Sequence, residues 1–144
     1  MKFQRTLTTI FTLAAVVFLS VPPASAQETR ELRVKVSYTG TGTVDSTREI
    51  HLYLFDTPDI SAGSMPIAMS SAGENGSVVV FSGISSQTVY LAGAYGDYDP
   101  SMGPPPTGTP VSLYRPGEPT PSPITMDRAV VEIEFAFDDS FRMP

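Results

Sequence analysis

The chain predicts an all-β protein built as an antiparallel β-sandwich of about seven strands. Three observations lead there. Apolar and polar residues alternate with a period of two in one run after another, glycine- and proline-rich turns stand between the runs, and nowhere does an apolar period near 3.6 persist for three helical turns. Short alternating strands punctuated by turns, in a chain of this length, close as two packed sheets.

Residues 1–26 are set apart as a secretory signal peptide. Lys2 and Arg5 make a basic start, residues 10–21 an apolar run, Pro22 and Pro23 close it, and Ala24-Ser25-Ala26 supplies a small-x-small cleavage site. The run is shorter than the roughly 20 apolar residues that span a bilayer. Cleavage after Ala26 leaves 27–144 as one domain, exported to the periplasm or beyond, with no membrane insertion afterwards. The whole chain carries a net charge of −6, and both leader charges are positive, so the mature charge becomes −8. Such a surface repels nucleic acid and anionic membranes. With no cysteine in the sequence, apolar burial rather than disulfides must hold the domain together.

The first strand is read from Leu32, Val34, Val36 and Tyr38 alternating with Arg33, Lys35 and Ser37, and the Thr39-Gly40-Thr41-Gly42-Thr43 run turns the chain. The second covers 48–55 and is partly apolar on both faces, with Ile50, Leu52 and Leu54 opposed to His51, Tyr53 and Phe55. A loop over 56–65 precedes a short edge strand at 66–70 with Ile67 and Met69 expected inward. The stretch 75–99 then organises the rest: Glu74-Asn75-Gly76 launches Val78, Val79, Val80 and Phe81, Gly83 breaks the run, and Val89 to Tyr95 forms the next strand. Both of its strands are expected to be central. The last strand, 128–137, sets Val131, Ile133, Phe135 and Phe137 against Val130, Glu132, Glu134 and Ala136.

Between them, 96–123 is dense in proline and glycine, and only 111–114 resembles a strand. Unstructured loops longer than about 12–15 residues are uncommon in compact domains and often functional. Asp97, Tyr98, Asp99 and Tyr114 are its candidate ligand-binding residues, two carboxylates beside aromatic rings, with Pro104-Pro105-Pro106 stiffening the path. The alternative is that the prolines shield a sheet edge.

The turn-glycine-strand-corner-tyrosine-strand pattern over 74–95 resembles the core of transthyretin-like, carboxypeptidase regulatory-like and CnaB-type β-sandwiches. Asp97, Asp99 and Thr107-Gly108-Thr109-Pro110 are similar to the acidic loop and Gly-x-Pro segment of exported bacterial families with that fold. The resemblance implies a seven-stranded, immunoglobulin-like sandwich. It does not carry over the family chemistry. Lys35 stands where a CnaB-type isopeptide lysine would, but Asn75, the single asparagine, is in a turn and not in the last strand. The histidine and arginine set of transthyretin-like hydrolases, and their C-terminal tyrosine motif, have no counterpart in one histidine and a Phe141-Arg142-Met143-Pro144 terminus.

Reactive machinery is sparse. His51 alternates with core residues and reads as structural, no nucleophile elbow is present, and zinc ligands are too few. Glu132 and Glu134 share a face that solvation explains. Asp97, Asp99 and Ser101 alternate as oxygen ligands for calcium would, although Gly103 and Gly108 break the EF-hand pattern, and a simple Asx-turn accounts for the same residues. The expected function is therefore a non-catalytic binding or surface-structural module without a cofactor. Its alternatives are a carbohydrate- or calcium-binding domain using 96–114 and a carboxylate-dependent hydrolase; its partner would be a glycan or another exported protein.

Overall fold

The structure, a computed structural model, describes residues 28–61, 63–114, 118 and 120–144. The expected leader lies outside the described residues, as do Arg115, Pro116, Gly117 and Pro119 of the 96–123 loop. Strands β1 (Arg30–Tyr38), β2 (Glu49–Phe55), β3 (Ala68–Ala72), β4 (Val78–Ile84), β5 (Thr88–Gly96), β6 (Val111–Leu113), β7 (Ile124–Thr125) and β8 (Val130–Phe137) follow in order, with one 3-10 turn at Pro100–Met102. They form two packed sheets, β4-β1-β8 and β3-β2-β5-β6, with β7 also on β5. The sandwich is thus all-β, of about eight strands.

One pairing departs from an antiparallel plan: β8 runs parallel to β1 over its whole length. Hairpin neighbours are forced antiparallel by their short turn, whereas β1 and β8 are separated by the rest of the domain and are free of that constraint. On the other edge of β5, β6 pairs at 92–94 and β7 at 88–89. The two lie in line along that edge.

Two expectations about strand placement are corrected. β4 is not central. It is an edge of the three-stranded sheet, and Val78 and Val80 are 57% and 46% exposed. Gly83, with φ of +74°, sits in a bulge that sets 81–84 against 30–32, and the chain then crosses to the other sheet, so β5 pairs with β2 rather than returning beside β4 as a hairpin. β3 also has the opposite phase to that expected. Met69 pairs with Tyr53 on the outer face and is exposed, as is Ile67, while Ala72 faces in. A one-residue shift of phase exchanges the faces, and near the edge the inner face accommodates alanine and serine.

The core takes Leu32, Val34 and Val36 from β1, Ile50, Leu52 and Leu54 from β2, Val89 and Leu91 from β5, and Phe135 and Phe137 from β8. Tyr38 stacks on Tyr95 with ring centroids 4.0 Å apart, and the Tyr95 hydroxyl donates to the Thr43 carbonyl at 2.7 Å. Beyond β8 the tail crosses to the five-stranded sheet. There Val111 N–H donates to the Phe141 carbonyl, Met143 N–H to Thr109, and Gly108 N–H to Met143, a short ribbon with O···N spans of 2.9–3.0 Å.

Candidate functional site

The outer face of the five-stranded sheet carries a second, smaller apolar layer around Tyr53, Phe55 and Ala94, with Ile60, Tyr90, Ala92, Tyr98 and Val111 packed on it. Register explains its shape. Met69 pairs with Tyr53, Tyr53 with Ala92, and Ala92 with Leu113, so one row of apolar side chains crosses all four strands. The small side chain of Ala92 keeps the row low in the middle. Above it lies an open trough of about 650 Å³, within the range of roughly 300–1,000 Å³ typical of small-molecule sites.

Two loops and the tail make its walls. On the β2–β3 side, Ser64 knots the loop: its hydroxyl donates to the Asp59 carbonyl at 2.8 Å and accepts from Ser61 N–H at 2.9 Å, and Met65 and Pro66 follow. Opposite stand Pro104 and Pro105 together with Phe141, Met143 and Pro144 of the tail. Met65, Met69 and Phe141 are 85%, 47% and 59% exposed. Large apolar side chains are thus gathered in one exposed place.

The residues predicted for ligand binding have different places. Asp97 and Asp99 are exposed, and Tyr98 and Tyr114 are half-buried. The Tyr98 and Tyr114 rings both pack against other aromatic rings. The Tyr98 ring lies against His51 with centroids 4.5 Å apart and its hydroxyl meets that of Tyr53 at 2.8 Å. Gly96 leaves room for this, since a Cβ there would stand 3.3 Å from Tyr98 Cδ1. Tyr114 lies edge-on to Phe135 in the core, and its N–H donates to the Leu91 carbonyl. From Leu91 to Gly96 the strand advances by about 16 Å, so Tyr114 does not join the Asp97–Asp99 group. Asp99 caps the Pro100–Met102 turn, accepting from Ser101 N–H at 2.9 Å and from the Ser101 hydroxyl at 2.6 Å. These two bonds, the hydroxyl first, hold its carboxyl below the usual range. Among the described residues no three His, Asp or Glu side chains gather as an ion site.

Tyr98 and Asp99 thus shape the loop that forms one wall. Burial pushes both tyrosine hydroxyls upward in pKa, and in Tyr98 the bond to Tyr53 adds to it. His51 is buried between Ser71, whose hydroxyl is 2.8 Å from Nδ1, and the Gly96 carbonyl, 3.2 Å from Nε2. Because a carbonyl only accepts, Nε2 carries the proton and Nδ1 accepts from Ser71 in the neutral ring. Desolvation lowers the His51 pKa, opposed by the Gly96 carbonyl. Glu118 is the charged side chain of the trough's lining among the described residues. Its arrangement suits binding by shape and apolar contact.

The trough was missed in the sequence, although two signals pointed to it: Tyr53 and Phe55 on the second face of β2, and Ala92 and Ala94 on the second face of β5. A sheet apolar on both faces needs a cover on each. The walls gave no signal, because the tail is brought there by long-range hydrogen bonds to 107–111, most of them between backbone groups. No protein-family model, no curated protein and no solved structure matches this chain.

Proposed function

We propose that this protein is an exported, non-catalytic binding module, and that it takes an apolar small molecule into the trough over β3-β2-β5-β6. The observation that carries the reading is the Met69–Tyr53–Ala92–Leu113 row, a continuous apolar floor under about 650 Å³ of open space with exposed methionine and phenylalanine at its walls. The leader over 1–26 supports export, and a mature start at Gln27 in the mass spectrum of native protein tests that part.

The alternatives have less support. Glu132 and Glu134, the carboxylates a hydrolase would need, stand on the outer face of the other sheet, 3.5 Å from Arg33 and 3.9 Å from Lys35. Asp99, wanted for calcium or sugar hydroxyls, already caps its own turn. The test is amide chemical-shift mapping of residues 27–144 against a fragment set of apolar rings, alkyl alcohols, monosaccharides and calcium. Shifts gathered at Tyr53, Ala92, Leu113 and Met143 with apolar fragments are the expected result. Shifts confined to Asp97, Asp99 and Ser101 with sugar or calcium would overturn it in favour of the loop.

A further inference from the structure

We infer that the occupant of the trough is a single hydrocarbon chain carrying a neutral or cationic head, an amphiphile rather than an apolar peptide; this rests on the binding reading above. The first argument is direction. The floor runs across the strands, over three inter-strand gaps, or about 14 Å at the usual spacing. It is as long as a medium alkyl chain laid flat.

The second argument is hydrogen bonding. β2 lies between β3 and β5, and β5 between β2 and β6, so the backbone groups of the central floor are already paired. Pro66, Pro104 and Pro105 remove backbone N–H donors from the walls. The Ser64 and Ser101 hydroxyls donate to Asp59 and Asp99. A peptide lying here would leave its own carbonyls short of donors in an apolar setting, which is costly, whereas an alkyl chain brings no such groups.

The third is charge. Among the described lining residues Glu118 is the one charged side chain, and no cation accompanies it. A carboxylate or phosphate head beside Glu118 would be repelled, while a sugar, hydroxyl or ammonium head would not. Met65, Met69 and Met143 add flexible side chains that can follow a chain without one fixed shape.

The experiment is titration calorimetry of residues 27–144 with four monomeric probes below their micelle concentrations: dodecyl maltoside, dodecyltrimethylammonium, dodecanoate and a capped tetraleucine peptide. Ala92→Phe places a ring on the floor at a half-exposed strand position, where an aromatic residue is well tolerated. Expected are binding of the first two probes, at least tenfold weaker binding of dodecanoate and peptide, and at least a tenfold loss for the first two in Ala92→Phe with its circular dichroism melt retained. In Glu118→Lys the preference between dodecanoate and dodecyltrimethylammonium should reverse. If the peptide binds best, or if Ala92→Phe leaves alkyl affinity unchanged, the amphiphile is overturned. Failure of all four probes while apolar ring fragments still shift the trough amides also overturns it, yet leaves the binding reading intact. Silence of the trough toward every fragment and probe removes both.

Discussion

The hydroxyls of Tyr53 and Tyr98 meet at 2.8 Å above the outer face of the five-stranded sheet, and through them the 97–105 loop is fastened to β2. Each oxygen is the partner of the other in a desolvated place. Tyr53→Phe or Tyr98→Phe should each cost about 1–3 kcal/mol, because one buried hydroxyl is orphaned, whereas the double substitution should cost less than the sum of the two. Urea unfolding of the four proteins measures the cycle. Additive effects would show that the two hydroxyls do not depend on each other.

Gly93 faces the core under Phe135. A Cβ there would stand 2.5 Å from Phe135 Cε1 and 3.2 Å from Phe137 Cε1, closer than packed atoms allow. Gly93→Ala should therefore destabilise by about 1–3 kcal/mol as the two rings are displaced. At Gly63 a Cβ would meet nothing within 4 Å, so Gly63→Ala should leave the urea midpoint nearly unchanged. Equal effects at the two positions would refute the steric account.

His51 makes stability depend on pH. Its folded-state pKa is below the unfolded value because burial penalises the charged ring. The unfolded chain therefore takes up the proton first. Stability is complete above the unfolded pKa of about 6.5 and declines as pH falls through it toward the folded pKa. The carboxyls of Asp45, Asp99, Asp127, Asp138 and Asp139 are shifted downward, mainly by hydrogen bonds, and their loss belongs to lower pH, below about 4. Thermal melts from pH 7.5 to 5 should fall in wild type and be flatter in His51→Gln. An unchanged slope in the variant would assign the dependence to other groups.

Asn75 clasps the end of β1: its Oδ1 accepts from Tyr38 N–H and its Nδ2 donates to the Tyr38 carbonyl, both at 2.7 Å. Asn75→Ala removes both partners and should cost about 1–3 kcal/mol. Asn75→Asp keeps the acceptor but turns a carboxylate oxygen toward a carbonyl. It should be destabilised at pH 7 and regain part of the loss at pH 4, where protonation restores a donor. Melts of both variants at the two pH values decide the matter.

Much of the fold was legible because alternation is local. Leu32 to Tyr38 and Val131 to Phe137 declare their buried faces without knowledge of a partner. Pairing is not local. Nothing in Val78 to Phe81 says whether β4 meets β1 or β5, and its apolar outer face suggested a central place where the crossing of β5 to the other sheet leaves an edge. Met69 misled for a related reason: hydrophobicity set its direction inward, while the trough supplied an apolar setting on the other side. The site was the least legible part. Tyr98 and Asp99 were singled out as ligand-binding residues, whereas in the structure they fasten and cap a loop, and the tail that stands beside that loop is placed by long-range hydrogen bonds to 107–111.

That tail offers the last test. Among the described strands β6 has β5 on one side only, and at its start the Val111 N–H donates to the Phe141 carbonyl, with Arg142 Nη1 donating to Gly108 and the Thr107 hydroxyl to Pro144. An uncovered strand edge invites pairing with another chain. Removing 141–144 takes away both this cover and one wall of the trough. The shortened protein should keep its far-ultraviolet spectrum, since the core residues all precede the deletion, but should lose affinity for trough ligands and form dimers or larger species by light scattering. Pro104, Pro105, Pro106 and Pro110 provide the competing explanation, because prolines along 104–110 protect an edge without help from the tail. A shortened chain that remains monomeric would credit the prolines with that protection. If it also bound apolar fragments at full strength, the tail would have no part in the site.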